Sequence, residues 1–365
     1  MAVKDQTITR ATLQCDAACG KLGNRAGFER EFGELFATNM NITILDDYQN
    51  MVKTLAAFSK AAGHNVTIWN DHTKNVDVLA ERLKDTEALA LIRERTPIQE
   101  PLLARLSKLR IISQVGAYPH IDANACTRHG VIVSSYTGPG RPSYATAELN
   151  WGLMIAAFRR LPQEINALKA GTWQTPSIGV ALRGKTLGVY GYGRIGAVIA
   201  GYGRAFGMNV LVWGRETTIE KARADGYDIA ASKAALFEQS DVVSIHLRLI
   251  DETRGIVTAA DLARMKPTAL FVNTSRAGLV VPGALEAALR AGRPGMAAVD
   301  VFDDEPVVVG GEHPLLAMDN VICTPHLGYV ERDSLEGMFN VMFDQILAYG
   351  NGKPINVGNP AALRR

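Results

Sequence analysis

From Met40 onward the chain alternates short apolar runs with helical or polar stretches, and this alternation constrains the fold more than any other feature. "ITILDD", "NVTIWN", "ALALIR", "RIISQV" and "VIVSS" read as buried strands, and "MVKTLAAFSKAAG", residues 51–63, has helical spacing with a terminal glycine. A second series starts at Gly184: "TLGVY", "NVLVW", "DVVSIHL", "ALFVN", "MAAVDVF" and "NVICT", running to about residue 325. Strands that alternate with helices pair in parallel, in sheets covered on both faces. The first series has too few strands for a complete second cofactor domain.

The expected fold class is therefore α/β, with two domains. Residues 144–170 form a long helical stretch interrupted at Pro162. The tail, "LEGMFNVMFDQILAYGNG", is amphipathic with a glycine stop and is expected to return to the first domain. Residues 1–39 stand apart as an N-terminal extension with mixed polarity. "FEREFGELFATN" could make one short helix there. The extension is expected to be dispensable, with Met40 an alternative start.

Composition removes several function classes. A formal net charge of +2 gives no electrostatic case for nucleic acid or an anionic membrane. No apolar run approaches the roughly 18–20 residues of a membrane helix, and the N-terminus lacks the apolar core of a secretory signal. Cys15 and Cys19 are close together, but no nearby Cys/His pair completes a metal set; Cys126 and Cys323 are isolated. A cytoplasmic protein without metal is expected.

Gly191, Gly193 and Gly196 form G-x-G-x-x-G between the strand ending at Tyr190 and the helical "AVIAGYGRAFG". The first glycine makes the tight turn, the second admits a pyrophosphate to the backbone, and the third lets helix and strand pack closely. The helix N-terminus then offers free N–H groups to phosphate. The glycines alone also fit a plain βα turn or a methyl-donor cofactor. A second "GYGR" at 201–204 lies inside the helix and reads as packing glycines. At the tip of the next strand, where NAD proteins carry an acid for the ribose hydroxyls, stands Gly214, followed by Arg215. That arrangement leaves room and charge for a 2′-phosphate, so NADP is expected over NAD, with NADPH preferred. Glu216 could neutralise Arg215 or bind the ribose itself.

Three further segments end strands: "FVNTSRAG" with Arg276, "AAVDVFDDEP" with Glu305, and "VICTPHLG" with His326. Ligands of doubly wound sheets sit at the carboxyl ends of strands. Reduction of a 2-keto acid needs a proton donor at the carbonyl oxygen and a cation for the carboxylate. Histidine supplies the proton near neutral pH, a neighbouring carboxylate favours its charged form, and arginine offers a planar fork.

With "LRGKTLGVYGYGRIG", "ETRGIVTAADLARMKPTALFVNTSRAG", "AAVDVFDDEP" and "TPHLG", the chain from about Met40 resembles the D-isomer-specific 2-hydroxyacid dehydrogenases. The resemblance implies two Rossmann-like domains. One is a doubly wound dinucleotide-binding domain at 144–325. The other is a smaller, discontinuous, flavodoxin-like substrate domain built from 40–143 and 326–365. It implies a homodimer acting on a small-molecule 2-keto acid or 2-hydroxy acid, with Arg276, Glu305 and His326 catalytic. It also implies cofactor contacts from Gly191, Gly193, Arg194, Ile195, Gly196, Gly214, Arg215, Arg248, Thr274, Ser275, Arg276, Asp300, His326 and Gly328. Substrate contacts fall to Arg93, Gly116, Ala117, Tyr118 and Arg276. The chain departs from the family pattern at "GAYPHID", where Tyr118 and Pro119 bear on substrate size. It departs again at Arg248, which replaces a proline, and at "VVP", where Pro282 can still start a helix. Arg93, Arg95 and Arg141 could meet a phosphorylated acid, but are expected to be solvated. Because related proteins include co-repressors, a dinucleotide-sensing protein without turnover is the alternative.

Overall fold

The computed structural model describes residues 39–137, 144–307 and 313–364. The expected N-terminal helix and Arg141 lie outside them. Two parallel sheets organise the chain. The first contains β1 (Asn41–Leu45), β2 (Asn65–Ile68), β3 (Ala88–Leu91), β4 (Ile111–Val115) and β5 (Ile132–Tyr136), in the order β2-β1-β3-β4-β5. This is the flavodoxin-like order. β3, "ALAL", is buried along its whole length, whereas edge strand β2, "NVTI", is partly exposed. A central parallel strand is covered on both faces and reads as an unbroken apolar run.

The second sheet contains β6 (Thr186–Tyr190), β7 (Asn209–Trp213), β8 (Asp228–Ile229), β9 (Val242–Ile245), β10 (Leu270–Asn273), β11 (Met296–Val299) and β12 (Val321–Cys323). Its order is β12-β11-β10-β9-β6-β7-β8, the doubly wound dinucleotide-binding arrangement. The chain runs outward one way from β6 through β8 and the other way from β9 through β12. The crevice at that reversal, between β6 and β9, is where ligands of such sheets bind. β8 is not evident from the sequence because two residues leave no apolar run.

The helix Arg332–Gly350 returns to the first sheet. Leu335, Met338, Phe339, Met342, Phe343 and Ile346 recur at helical spacing and pack in one cluster with Ile42, Ile44, Ala90 and Ile111. Burying each such large side chain contributes roughly 1.5–3 kcal/mol. Gln345 Nε2 donates to Ser113 Oγ (2.8 Å) and to the Gln114 carbonyl (3.0 Å), which fixes the helix along β4.

Three local expectations change. Residues 51–63 are not one α-helix but two 3-10 segments, Val52–Thr54 and Ala56–Ala61, separated by extended Leu55. The cause is tertiary: Leu55 is buried, and the Glu336 carboxylate accepts from the N–H groups of Ala56 (2.9 Å) and Ala57 (2.6 Å). The break in 144–170 falls before Pro162, between helices Tyr144–Phe158 and Leu161–Lys169, at Arg160 with φ 54°. Proline is tolerated in the first turn that follows. Pro282 precedes the cap of its helix instead of starting it, since Gly283 (φ 74°) caps Ala284–Arg290.

The chain passes between the two units twice, once between β5 and the helix Tyr144–Phe158, and again after β12. Thr146 Oγ1 donates to the Gly328 carbonyl at 2.7 Å, tying the second passage to the start of that helix. Among the described residues, no helix is long and apolar enough to cross a membrane.

Candidate active site

The turn after β6 has no room for side chains at two of its glycines. Gly191 adopts φ 100°, and a Cβ there would stand 2.6 Å from the His246 carbonyl oxygen. A Cβ on Gly196 would stand 2.0 Å from the Gly191 carbonyl oxygen. Gly193 differs, because nothing lies within 4 Å of its Cβ position. It caps the twelve-residue helix Arg194–Ala205 without any side-chain cap bond. The N-terminus of that helix, its positive dipole end, is thus a fit for pyrophosphate. Ile195 packs back onto the core. Of the second glycine pair, Gly203 is a packing glycine, its Cβ position 2.7 Å from Leu187, while Gly201 meets nothing within 4 Å.

Two exposed arginines stand at neighbouring strand ends, Arg215 after β7 and Arg248 after β9, flanking the β6 turn. Arg215 is the N-cap of Glu216–Ala224, and no carboxylate among the described residues pairs with it. The Gly214 Cβ position is 2.8 Å from Thr218 Oγ1. Thr274 and Ser275 turn their hydroxyls inward: Thr274 Oγ1 accepts from Asn150 Nδ2 (2.9 Å), and Ser275 Oγ donates to the Ile245 carbonyl (2.8 Å). Asn150 Nδ2 also donates to Ser244 Oγ (3.1 Å), which bonds His246 Nε2 (2.9 Å). This buried network braces the ends of β9 and β10.

His326 and Glu305, from two different strand-end loops, meet at 2.7 Å through Nδ1 and Oε2. The second Glu305 oxygen accepts the Phe302 N–H at 2.9 Å, so the carboxylate cannot rotate freely. Burial raises the pKa of Glu305, but the His326 bond and charge, the Phe302 N–H and the Arg276 charge outweigh it. The carboxyl is held below its usual range. With Nδ1 engaged, Nε2 is the nitrogen left for a ligand. His326 has φ 52°, a left-handed conformation uncommon for non-glycine residues. Asp300 holds it there. Its fully buried carboxylate accepts from Thr324 Oγ1 (2.6 Å) and the N–H groups of Leu327 (2.7 Å) and Gly328 (2.9 Å). Burial pushes the Asp300 carboxyl up against these bonds. As placed, Asp300 supports the His326 loop instead of offering a free oxygen to a cofactor.

Arg276 follows β10. Its Nη1 donates to the Ser275 carbonyl (2.7 Å) and its Nη2 to Glu94 Oε1 (3.0 Å), a carboxylate from the first unit. Arg93 is close behind, its guanidinium donating to the Val115 carbonyl at 3.4 Å. Burial first, and then the like charge of Arg276, lower its pKa. The Cβ position of Gly116 (φ 101°) is 2.8 Å from Arg93 Nη1, so only glycine leaves that guanidinium its place. Arg93 and Arg95 are half-buried, not solvated as expected. Arg95 donates to the Asp46 carbonyl and lies over the rings of Tyr48 (4.4 Å) and Tyr329 (5.5 Å). Tyr329 in turn meets His326 edge-on, with centroids 5.5 Å apart.

Ala117 is exposed beside Gly116, and the Gln114 amide donates to both their carbonyls, each at 3.1 Å. Tyr118 turns away: its hydroxyl lies 2.3 Å from the Cβ position of Gly358, and its ring packs on the cluster containing Leu45 and Ile98. Sequence reasoning missed Glu94, Tyr48, Tyr329 and Asn150. The only available signal was "IRERT", three charges just past a fully buried strand.

A model of the D-isomer specific 2-hydroxyacid dehydrogenase NAD binding domain matches residues 151–328. A glyoxylate reductase from Aeropyrum pernix is 36% identical over 313 residues, covering 82% of this chain and 91% of that one. A D-3-phosphoglycerate dehydrogenase from Methanocaldococcus jannaschii is 36% identical over 270 residues, covering 73% of this chain and 50% of its own length. The chain thus spans about half of that longer relative. A solved phosphoglycerate oxidoreductase from Vibrio cholerae is 51% identical with a TM-score of 0.82, covering 86% of this chain and 99% of that one.

Proposed function

The chain belongs to the D-isomer-specific 2-hydroxyacid dehydrogenase family, and from that premise we propose that it interconverts a small 2-keto acid and its 2-hydroxy acid with a nicotinamide dinucleotide. The observation that carries this reading is the His326–Glu305 pair at 2.7 Å, with Arg276 near enough for its charge to act on Glu305. A nicotinamide dinucleotide held by the β6 turn would provide hydride chemistry, reducing the keto acid or oxidising the hydroxy acid.

The chain's own residues do the rest. Arg276 binds the substrate carboxylate through its planar fork, which orients the carbonyl. His326 Nε2 gives its proton to the carbonyl oxygen and takes it back in oxidation. Glu305 fixes the orientation of the ring through Nδ1. Gly191, Gly193, Gly196 and the helix starting at Arg194 hold the pyrophosphate. The units at 40–143 with 326–365, and at 144–325, act as substrate and cofactor domains around one cleft.

Gly214, Arg215 and Arg248 support a preference for NADPH: no acid stands at the strand tip, and two exposed cations flank it. A homodimer belongs to the same reading. The helix Leu161–Lys169 buries none of its residues, and Leu161, Ile165, Leu168, Trp173 (81% exposed) and Ile178 (92%) form an apolar face suited to a second copy. A cytoplasmic location completes the reading. The test of the activity is turnover of a panel of small keto acids with each reduced nicotinamide cofactor. Tight cofactor binding with no turnover of any of them would overturn it.

A further inference from the structure

We propose that Glu94 sets the charge class of the substrate, admitting keto acids with one negative charge and disfavouring those with two. The inference rests on the activity proposed above and on the carboxylate position assigned to Arg276.

Glu94 Oε1 accepts from Arg276 Nη2 at 3.0 Å, so a protein carboxylate already touches the guanidinium that would receive the substrate carboxylate. Both side chains are about one-third exposed in the cleft, 32% for Arg276 and 29% for Glu94. Arg93 is the second cation of this corner, held between the Val115 carbonyl and the backbone of Gly116. Two guanidiniums and one carboxylate leave a single uncompensated positive charge. One substrate carboxylate neutralises it; a second anionic group would enter without a partner, beside Glu94.

The neighbours supply no further net charge. His120 stands close to Glu94 and Arg93, but both its ring nitrogens are buried without hydrogen-bond partners, so the ring adds no cation. Arg95 is engaged by the Asp46 carbonyl and the rings of Tyr48 and Tyr329, and the buried Asp46 carboxylate belongs to the same corner. Charges in such partly desolvated clefts act over several ångströms with less screening than in water.

The test compares keto acids that differ in charge at similar shape: 2-oxopentanoate against oxaloacetate, and 2-oxohexanoate against 2-oxoglutarate. The wild type is expected to favour the singly charged member of each pair by about tenfold or more in kcat/KM. Glu94→Gln keeps the oxygen that accepts from Arg276 and removes the charge. It should raise kcat/KM for the doubly charged members about tenfold relative to the singly charged ones, mostly through KM, with no change in cofactor affinity. If Glu94 only holds Arg276 in place, the variant moves both classes together and the charge ratio stays put, which overturns the inference while leaving the activity standing. A wild type that prefers the doubly charged members also overturns it. A wild type that reduces none of the four overturns the activity and the inference together.

Discussion

The two sheets share one architecture and differ at their strand ends. In the second unit, buried polar side chains cross-brace the loops. Asn150 links β9 to β10, and Asp300 grips the loop that carries His326. In the first unit, the corresponding ends carry left-handed residues, Asp46 (φ 63°) and Arg93 (φ 59°), and charged side chains that reach across the cleft. Glu94 reaches Arg276, and Lys74 reaches Asp304. Preorganised chemistry demands fixed donors, whereas selection demands charges that can be exchanged for those of a ligand. One scaffold, used twice, is cross-braced by buried polar side chains at one set of strand ends and carries charged side chains across the cleft at the other.

If the braced loops at the strand ends of the second sheet hold the chemistry, His326→Ala should lower kcat by about a hundredfold or more, the range for a positioned acid or base. Cofactor affinity, measured by fluorescence titration, should stay near wild type. A near-normal kcat would erase the contrast between the units. Arg276→Lys should raise KM about tenfold or more, because an ammonium cannot reproduce the fork that binds a carboxylate. Full activity in that variant would argue against a bidentate contact.

Asp300→Asn should lower kcat by about tenfold and destabilise the protein by about 1–3 kcal/mol, since an amide turns a donor toward donors. Thermal unfolding and steady-state rates measured on one preparation separate the two effects. An unaffected kcat would mean that His326 holds its left-handed conformation without the brace.

Cofactor choice should move less. The wild type is expected to prefer NADPH over NADH by about tenfold in kcat/KM, in line with a cation placed for the 2′-phosphate. A Gly214→Asp, Arg215→Ile double variant should bring the ratio toward NADH, although Thr218 Oγ1, 2.8 Å from the new Cβ, must rotate off the Arg215 carbonyl. A wild type that prefers NADH removes this reading of Arg215.

The smallest effect concerns acid. Burial depresses His120 in the first unit and His246 in the second from 6.5 to about 4. Both folded values lie below the unfolded one, so the unfolded chain binds more protons across that window. Stability should therefore fall as pH drops from about 6.5 toward 4. Denaturant midpoints against pH for His120→Asn and His246→Asn, taken singly, should each show a shallower fall than wild type. A slope unchanged in both would mean that neither ring resists protonation.

Much of this was legible in the sequence, for identifiable reasons. Inner strands such as β3 and β11 are unbroken apolar runs, and Arg276, Glu305 and His326 lie in the loops that follow β10, β11 and β12. What stayed hidden was long-range. Glu94 and Arg276 are 182 positions apart, and nothing in "IRERT" says that its glutamate will meet an arginine and not water. The 3-10 turns at 52–61 were equally unreadable, because a carboxylate from position 336 caps them. Asp300 could be placed at a strand end, but its two buried oxygens and their three donors depend on how the 324–328 loop folds back.

The Thr146–Gly328 hydrogen bond has a mechanical meaning. The two units are joined by two covalent strands, and this contact pins the second strand to the root of the helix that begins where the first arrives. A body fastened at two adjacent points can swing about the line through them but cannot slide along its neighbour. The favoured motion is thus a swing like that of a door on two pins. Gly328 is two residues from His326, so the imidazole ring sits near the hinge line, where a swing displaces atoms least.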